Sequence, residues 1–232
     1  MDATKHPDQA PETDGALRRG GLRARPSQAR SRKTFDAILT AAADLLSEAG
    51  WEGFNTNLLA ERAGCRVATL YRYFPDKLAV VSTLAETVVA AWDAELAEVA
   101  EDLSKAGDLR IIWPKFTARF LSVLKHDPSA LAVRKAMQAV PELRAIDQED
   151  NRRLADVFAQ ALCEHLPRLT EPHATSVARV LIETEVAVID LALSAVDEEA
   201  ARLLRQIETM HLAYFDRLYA DYGCASGGSE HV

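Results

Sequence analysis

An all-α protein is expected from this chain, with a small N-terminal three-helix unit followed by a larger helical body. Apolar residues recur at three- and four-residue spacing along nearly every long segment, the period of a helix that buries one face. Caps and breakers punctuate the segments at Gly50, Pro75, Asp108, Asp127 with Pro128, Pro141, Pro167 and Asp197. Alternating strand patterns are absent.

The first helix is expected to open at Ser31, whose hydroxyl can cap it, and Phe35, Ile38, Leu39, Ala42, Leu45 and Leu46 then repeat at helical spacing up to Gly50. Asn55 caps the second helix, its side-chain oxygen placed to accept a free N–H from Asn57 or Leu58. Ala63 and Gly64 end that helix. Glycine takes left-handed backbone angles without a Cβ clash, so Gly64 turns the chain within a few residues. A third helix is expected over residues 66 to 74, with Leu70 and Phe74 inward and Arg66, Val67, Ala68, Thr69 and Arg72 outward. Pro75 stops it, and Asp76 with Lys77 opens the next. Two short helices around a tight turn, roofed by the first, make a helix-turn-helix, a unit that reads DNA.

Body helices are expected at residues 78 to 103, 110 to 125, 128 to 140, 141 to 166, 171 to 196 and 198 to 222. The resulting division is a disordered basic arm at 1–30, the helix-turn-helix domain at 31–80, a helical domain at 81–223, to which the family resemblance described below assigns ligand binding and dimerisation, and a loose tail at 224–232.

Charge supports this division. The net charge is −8, yet residues 16 to 80 carry +5 and residues 81 to 232 carry −10. Basic charge concentrated on the turn unit attracts phosphates, while an acidic body discourages indiscriminate adsorption to nucleic acid. Arg18, Arg19, Arg23, Arg25, Arg30, Arg32 and Lys33 follow one another with no acid between them. Such an arm can track phosphates or enter a minor groove, or it can serve only as a solubilising tail.

Several function classes are disfavoured. No phosphate-binding glycine loop, nucleophile elbow, dinucleotide fingerprint or metal-binding His/Glu motif appears, and the six histidines are scattered; no catalytic residue, metal or cofactor is expected, and the chain is not expected to be an enzyme. The longest apolar stretch, residues 180 to 196, is interrupted by Glu183, Glu185 and Asp190, so no membrane span is expected. Three widely spaced cysteines, Cys65, Cys163 and Cys224, without a CxxC pair, suit reduced thiols in a cytoplasm.

Residues 30 to 84 resemble the DNA-binding domain of the TetR family of bacterial transcriptional regulators. The pattern is met by Gly50, Asn55, Ala63, Gly64, Thr69, Leu70, Tyr71, Tyr73, Phe74 and Lys77. Arg66 stands where the family usually has a small cap residue, Ala68 where glycine or proline is common, and Leu78 where an acid is common. The first two fall on the groove-facing end and bear on which operator is read.

The resemblance implies a regulator of transcription, expected here to be a homodimeric repressor released from a palindromic operator in double-stranded DNA by a small, mainly apolar ligand. Arg66, Asn57, Val67, Ala68 and Thr69 are expected at base edges, with Thr56, Tyr71, Arg72, Tyr73 and Lys77 on phosphates. The family's dimer forms through the last two helices, where Val188, Leu191, Leu204, Ile207, His211, Tyr214 and Leu218 supply an apolar stripe; without the resemblance, the same stripe can equally pack inside its own subunit. Its ligand cavity lies among the central helices, where Trp92, Trp113, Phe116, Phe120 and Met137 recur at helical spacing. Glu183 and Asp190 are unusual acids on an apolar helix; they can face a cationic ligand, an arginine such as Arg119 or Arg134, or solvent. A ligand-independent DNA-binding or architectural protein with a solid core is the competing expectation.

Overall fold

The computed structural model describes residues 26, 28–105 and 108–223, with the side chains at 91–97, 100, 103, 104 and 126 left undescribed. Most of the expected basic arm, the tail at 224–232 and the side chain of Trp92 therefore lie outside the described residues.

Nine helices and no strand occur among the described residues: α1 (Ala29–Gly53), α2 (Thr56–Arg62), α3 (Val67–Tyr73), α4 (Lys77–Lys105), α5 (Leu109–His126), α6 (Pro128–Ala139), α7 (Pro141–His165), α8 (Glu171–Ser194) and α9 (Asp197–Tyr222). Local chemistry explains most of the starts. Asp76 Oδ1 accepts the Ala79 N–H at 2.8 Å, Asp108 Oδ1 accepts that of Arg110 at 2.9 Å, and Asp127 Oδ1 accepts those of Ser129 and Ala130 at 2.8 and 3.2 Å. Each fills backbone donors that a helix start leaves without a partner. Pro128 and Pro141 occupy the first turns of α6 and α7, where a missing N–H costs nothing.

The first helix departs from expectation at both ends. It begins before Ser31, whose hydroxyl instead donates to the Gln28 carbonyl at 3.2 Å. It also runs on to Gly53 across a kink at Gly50, which has φ 62°, an angle at which a Cβ would clash with the backbone.

Three apolar clusters hold the chain together. The first joins α1, α2 and α3 to the start of α4, to Val133, Ala136 and Met137 of α6, and to Leu143 of α7. The N-terminal unit thus shares its core with two helices of the body. The second cluster fills the body between α5, α7, α8 and α9 around Trp113, Phe158, Leu181 and Phe215. A small third one joins Leu124, Ala130 and Ile189.

Candidate nucleic-acid interface

Asn55 fixes the entry to α2: its Oδ1 accepts the Leu58 N–H at 2.9 Å. The exit is a Schellman closure, in which the Cys65 N–H reaches the Ala60 carbonyl at 3.0 Å and the Gly64 N–H reaches that of Glu61 at 3.1 Å. Gly64 has φ 62°, the left-handed angle that this closure requires and glycine supplies. Cys65 is half-buried in the turn, and burial pushes its thiol up, away from the reactive thiolate.

The turn launches α3, whose inner side is anchored on α1. Leu70 and Phe74 are buried, and the Phe35 ring stacks on Phe74 at 5.3 Å and meets Tyr73 edge-on at 5.7 Å. The outer side carries Arg66, Ala68, Tyr71 and Arg72 exposed, with Val67 and Thr69 half-buried. Asn57 is exposed and Thr56 half-buried on α2, and the Thr56 hydroxyl lies 3.0 Å from that of Tyr71. Arg66 caps α3 through its backbone while its side chain makes no capping bond. The start of α1 belongs to the same neighbourhood. Tyr73 Oη accepts from Arg72 Nη2 at 2.7 Å and donates to the Ser31 carbonyl at 3.4 Å, which sets exposed Arg30, Arg32 and Lys33 beside the end of α3. The combination is a cationic, hydrogen-bonding surface on a helix anchored by its buried side, suited to a polyanion groove.

Two residues expected on phosphates are placed otherwise. Tyr73 is 3% exposed and belongs to the head's core, because an aromatic ring at that register meets Phe35 rather than solvent. Lys77 is half-buried, with its ammonium 4.1 Å from the centroid of the Trp51 ring.

In the body, the expected stripes are divided. Trp113 and Phe116 lie in the second cluster, Phe120 packs against the third, and Met137 belongs to the first. Met137 therefore does not share one apolar lining with Trp113. Trp113 is 5.8 Å from Phe116, and Phe116 is 6.4 Å from Phe120, as ring centroids. Asp190 pairs with buried Arg134 through two bonds, Nε to Oδ1 at 2.7 Å and Nη2 to Oδ2 at 2.9 Å. Burial pushes the Asp190 carboxyl up, and the Arg134 hydrogen bond opposes it. Glu183 pairs with Arg179 at 2.8 Å and borders an open cleft of about 360 Å³ with Asp147, Asn151 and Asp190. A larger cleft of about 550 Å³ separates the end of α1 from α6 and is bordered by Trp51, Leu131 and Lys135. The fully buried acid on α8 is Glu185, which sequence reasoning counted only as an interruption of an apolar stretch. The signal was there: Glu185 shares a helical face with Leu181, Ile182 and Ile189.

The stripe expected to form a seam between subunits is corrected in the same way. Ile207, His211 and Leu218 are 4%, 2% and 2% exposed within a single chain, because α9 turns that face onto α5 and α8. Leu204 and Tyr214 are half-buried, as is Val188, whereas Leu191 is 59% exposed. What α8 presents outward is Val180, Ala187 and Leu191, and α9 presents Met210 and Ala213.

Comparison with known proteins agrees with this geometry. A family model described as bacterial regulatory proteins of the tetR family matches residues 38–84, and one described as a Tetracyclin repressor-like C-terminal domain matches residues 114–219. The HTH-type transcriptional regulator RutR of Escherichia coli (strain K12) is 34% identical over 92 residues, 40% of this chain and 42% of that protein. The tetracycline repressor protein class A from transposon 1721 of Escherichia coli is 42% identical over 55 residues, 24% of this chain and 26% of that protein. The chain thus spans less than half the length of the curated relatives it matches. The fold is shared with a transcriptional regulator of the same family from Streptomyces coelicolor, at a TM-score of 0.57 and 22% identity over 80% of this chain and 99% of that one. The fatty acid degradation regulator FadR from Bacillus halodurans gives a TM-score of 0.57 at 17% identity over 90% of this chain and 100% of that one.

Proposed function

The chain belongs to the TetR family of bacterial transcriptional regulators, a family of DNA-binding regulators rather than enzymes, and from that premise we propose a homodimeric repressor that a small, mainly apolar ligand releases from a palindromic operator. The observation that carries DNA reading is the outward row of Arg66 at the cap of α3 and Ala68, Tyr71 and Arg72 along it, held on a buried aromatic anchor. Arg66 is the residue for a bidentate contact to guanine, with Asn57, Val67, Ala68 and Thr69 beside it at base edges. Thr56, Tyr71 and Arg72 hold phosphates and fix the register.

One recognition helix as short as α3 carries little specificity. Two, about 34 Å apart on a dimer, read successive major grooves of one face of the duplex. The dimer forms through the outward faces of α8 and α9, where Val180, Ala187, Leu191, Met210 and Ala213 offer apolar surface to a second copy. Exposed apolar area of this kind, on helices that otherwise sort polar residues outward, is the mark of an association surface.

Release follows if a ligand favours a head spacing that misses successive grooves. The head shares its core with α4 and α6, so a shift of either helix carries the head with it. A ligand can move this equilibrium only by its differential affinity for the two states. No helix among the described residues is long and apolar enough to cross a membrane; we place the protein in the cytoplasm, where its DNA partner is.

The test is footprinting on DNA upstream of the protein's own gene and its neighbours. The expected result is two protected half-sites related by two-fold symmetry, one helical turn apart. Protection of a single half-site, or none that depends on sequence, would overturn the proposal.

A further inference from the structure

A single side chain ties four helices of the body together. Arg134 of α6 is 7% exposed and is the one buried arginine among the described residues. Its Nε and Nη2 donate to the two carboxylate oxygens of Asp190 on α8 at 2.7 and 2.9 Å, and its Nη1 donates to Asp147 Oδ1 on α7 at 3.0 Å. The guanidinium carbon lies 5.5 Å from the centroid of the Phe120 ring on α5. Such a clasp contributes little net stability over an apolar replacement, because desolvation of the charges offsets their attraction. What it adds is direction. A guanidinium fork on two carboxylate oxygens needs both N–H groups in line, so it holds the helices in one register.

Position along the chain gives that register a consequence. Val133, Ala136 and Met137, which flank Arg134 on α6, are buried in the head's core with Leu46 and Phe74. Leu191, next to Asp190 on α8, is 59% exposed on the outward face proposed as the dimer seam. The clasp thus adjoins the head's core at one end and the seam at the other. On α7 the third bond falls one turn beyond Leu143, which also belongs to the head's core. The apolar contact beside the clasp is small, Leu124 and Ala130 against Ile189, and apolar contact is non-directional.

We propose that Arg134 is a positioning residue for DNA reading: by fixing α6 against the helix that carries the seam, it sets the spacing of the two heads on the operator. The inference rests on the proposed homodimer. Arg134 touches neither DNA nor ligand in this role and acts only through the head that α6 carries.

Fluorescence anisotropy titrations of the full-length protein test it, on the operator that footprinting defines and on versions with base pairs inserted between the half-sites. Two added base pairs move one half-site by about 7 Å and turn it by about 70°, and the wild-type protein loses at least about tenfold in affinity. Arg134→Met, Asp147→Asn and Asp190→Asn together leave no carboxylate unpaired at the clasp, and they reduce that penalty to below about threefold while weakening binding at the natural spacing. Arg134→Lys keeps the positive charge without the fork, and relaxes the penalty in the same direction should the triple variant fold poorly. Sizing and thermal melts establish that each variant is a folded dimer. A role in stability alone lowers the melting temperature but leaves the spacing penalty at its wild-type value, and that result in the folded variants overturns the proposal. A wild-type protein indifferent to spacing removes the paired heads and the clasp's role with them, whereas spacing-sensitive wild type with equally sensitive variants removes the clasp's role alone.

Discussion

Lys77 Nζ lies 4.1 Å from the centroid of the Trp51 ring and 3.4 Å from the Trp51 carbonyl oxygen, which ties the first turn of α4 to the end of α1 across the Gly50 kink. An ammonium over an indole face and against a carbonyl contributes about 1 kcal/mol. Lys77→Ala should therefore destabilise the protein by about that amount. Its effect on DNA should be a uniform loss of affinity with an unchanged salt slope, because a group committed to Trp51 releases no counterion. Gel-shift titrations across several salt concentrations check this. A slope lowered by about one would restore Lys77 to the phosphate backbone.

Much of this architecture was legible in the sequence because the signals were local. Asn55, Gly64, Pro75, Asp76, Asp108 and Asp127 act on their own helix ends, and each boundary falls within a few residues of where its chemistry puts it. Gly50 was legible as a breaker but not as a kink through which α1 continues, since whether a helix resumes after a glycine depends on what packs beyond it. The sites were harder. Periodicity shows that Ile207, His211 and Leu218 share a face, but not whether that face meets α5 and α8 of the same chain or a second copy. Likewise Tyr73 and Lys77 carry groups suited to phosphates, and only the three-dimensional neighbours Phe35 and Trp51 show where those groups are engaged.

Arg66 is exposed at the N-cap of α3 and makes no capping bond with its side chain. Arg66→Ala should relax preference at one base pair in each half-site, costing about 1 to 3 kcal/mol of discrimination per contact. Competition among operators mutated one base pair at a time measures it. An unchanged base preference would assign Arg66 to the phosphates.

Asp127 carries a pH dependence of known sign. The Ser129 hydroxyl holds its carboxyl below the usual carboxylate range, helped by the Ala130 and Ser129 N–H groups and opposed by burial. A depressed folded-state value means that this stability is present above the unfolded value of about 3.9 and is lost as pH falls through the folded one. Asp127→Ala should cost about 1 kcal/mol at neutral pH, and the gap from wild type should narrow as the pH drops below about 4. Thermal melts at the two pH values decide it. A gap that persists in acid would mean that the neutral side chain caps α6 equally well.

Leu191 and Ile207 separate association from folding. Leu191 is 59% exposed on the outward face of α8, whereas Ile207 is 4% exposed between α9 and its own chain. Leu191→Glu places a charge in the proposed seam, where an unpaired carboxylate is strongly unfavourable once buried by a second copy. Monomers with a wild-type circular dichroism spectrum and no operator binding are the expected outcome. Ile207→Glu buries its charge within the monomer and should lower the melting temperature instead, by an amount corresponding to several kcal/mol. Sizing chromatography together with thermal melts distinguishes the two. A Leu191→Glu protein that stays dimeric would place the interface away from this face of α8, and operator binding by a demonstrated monomer would remove the need for paired heads.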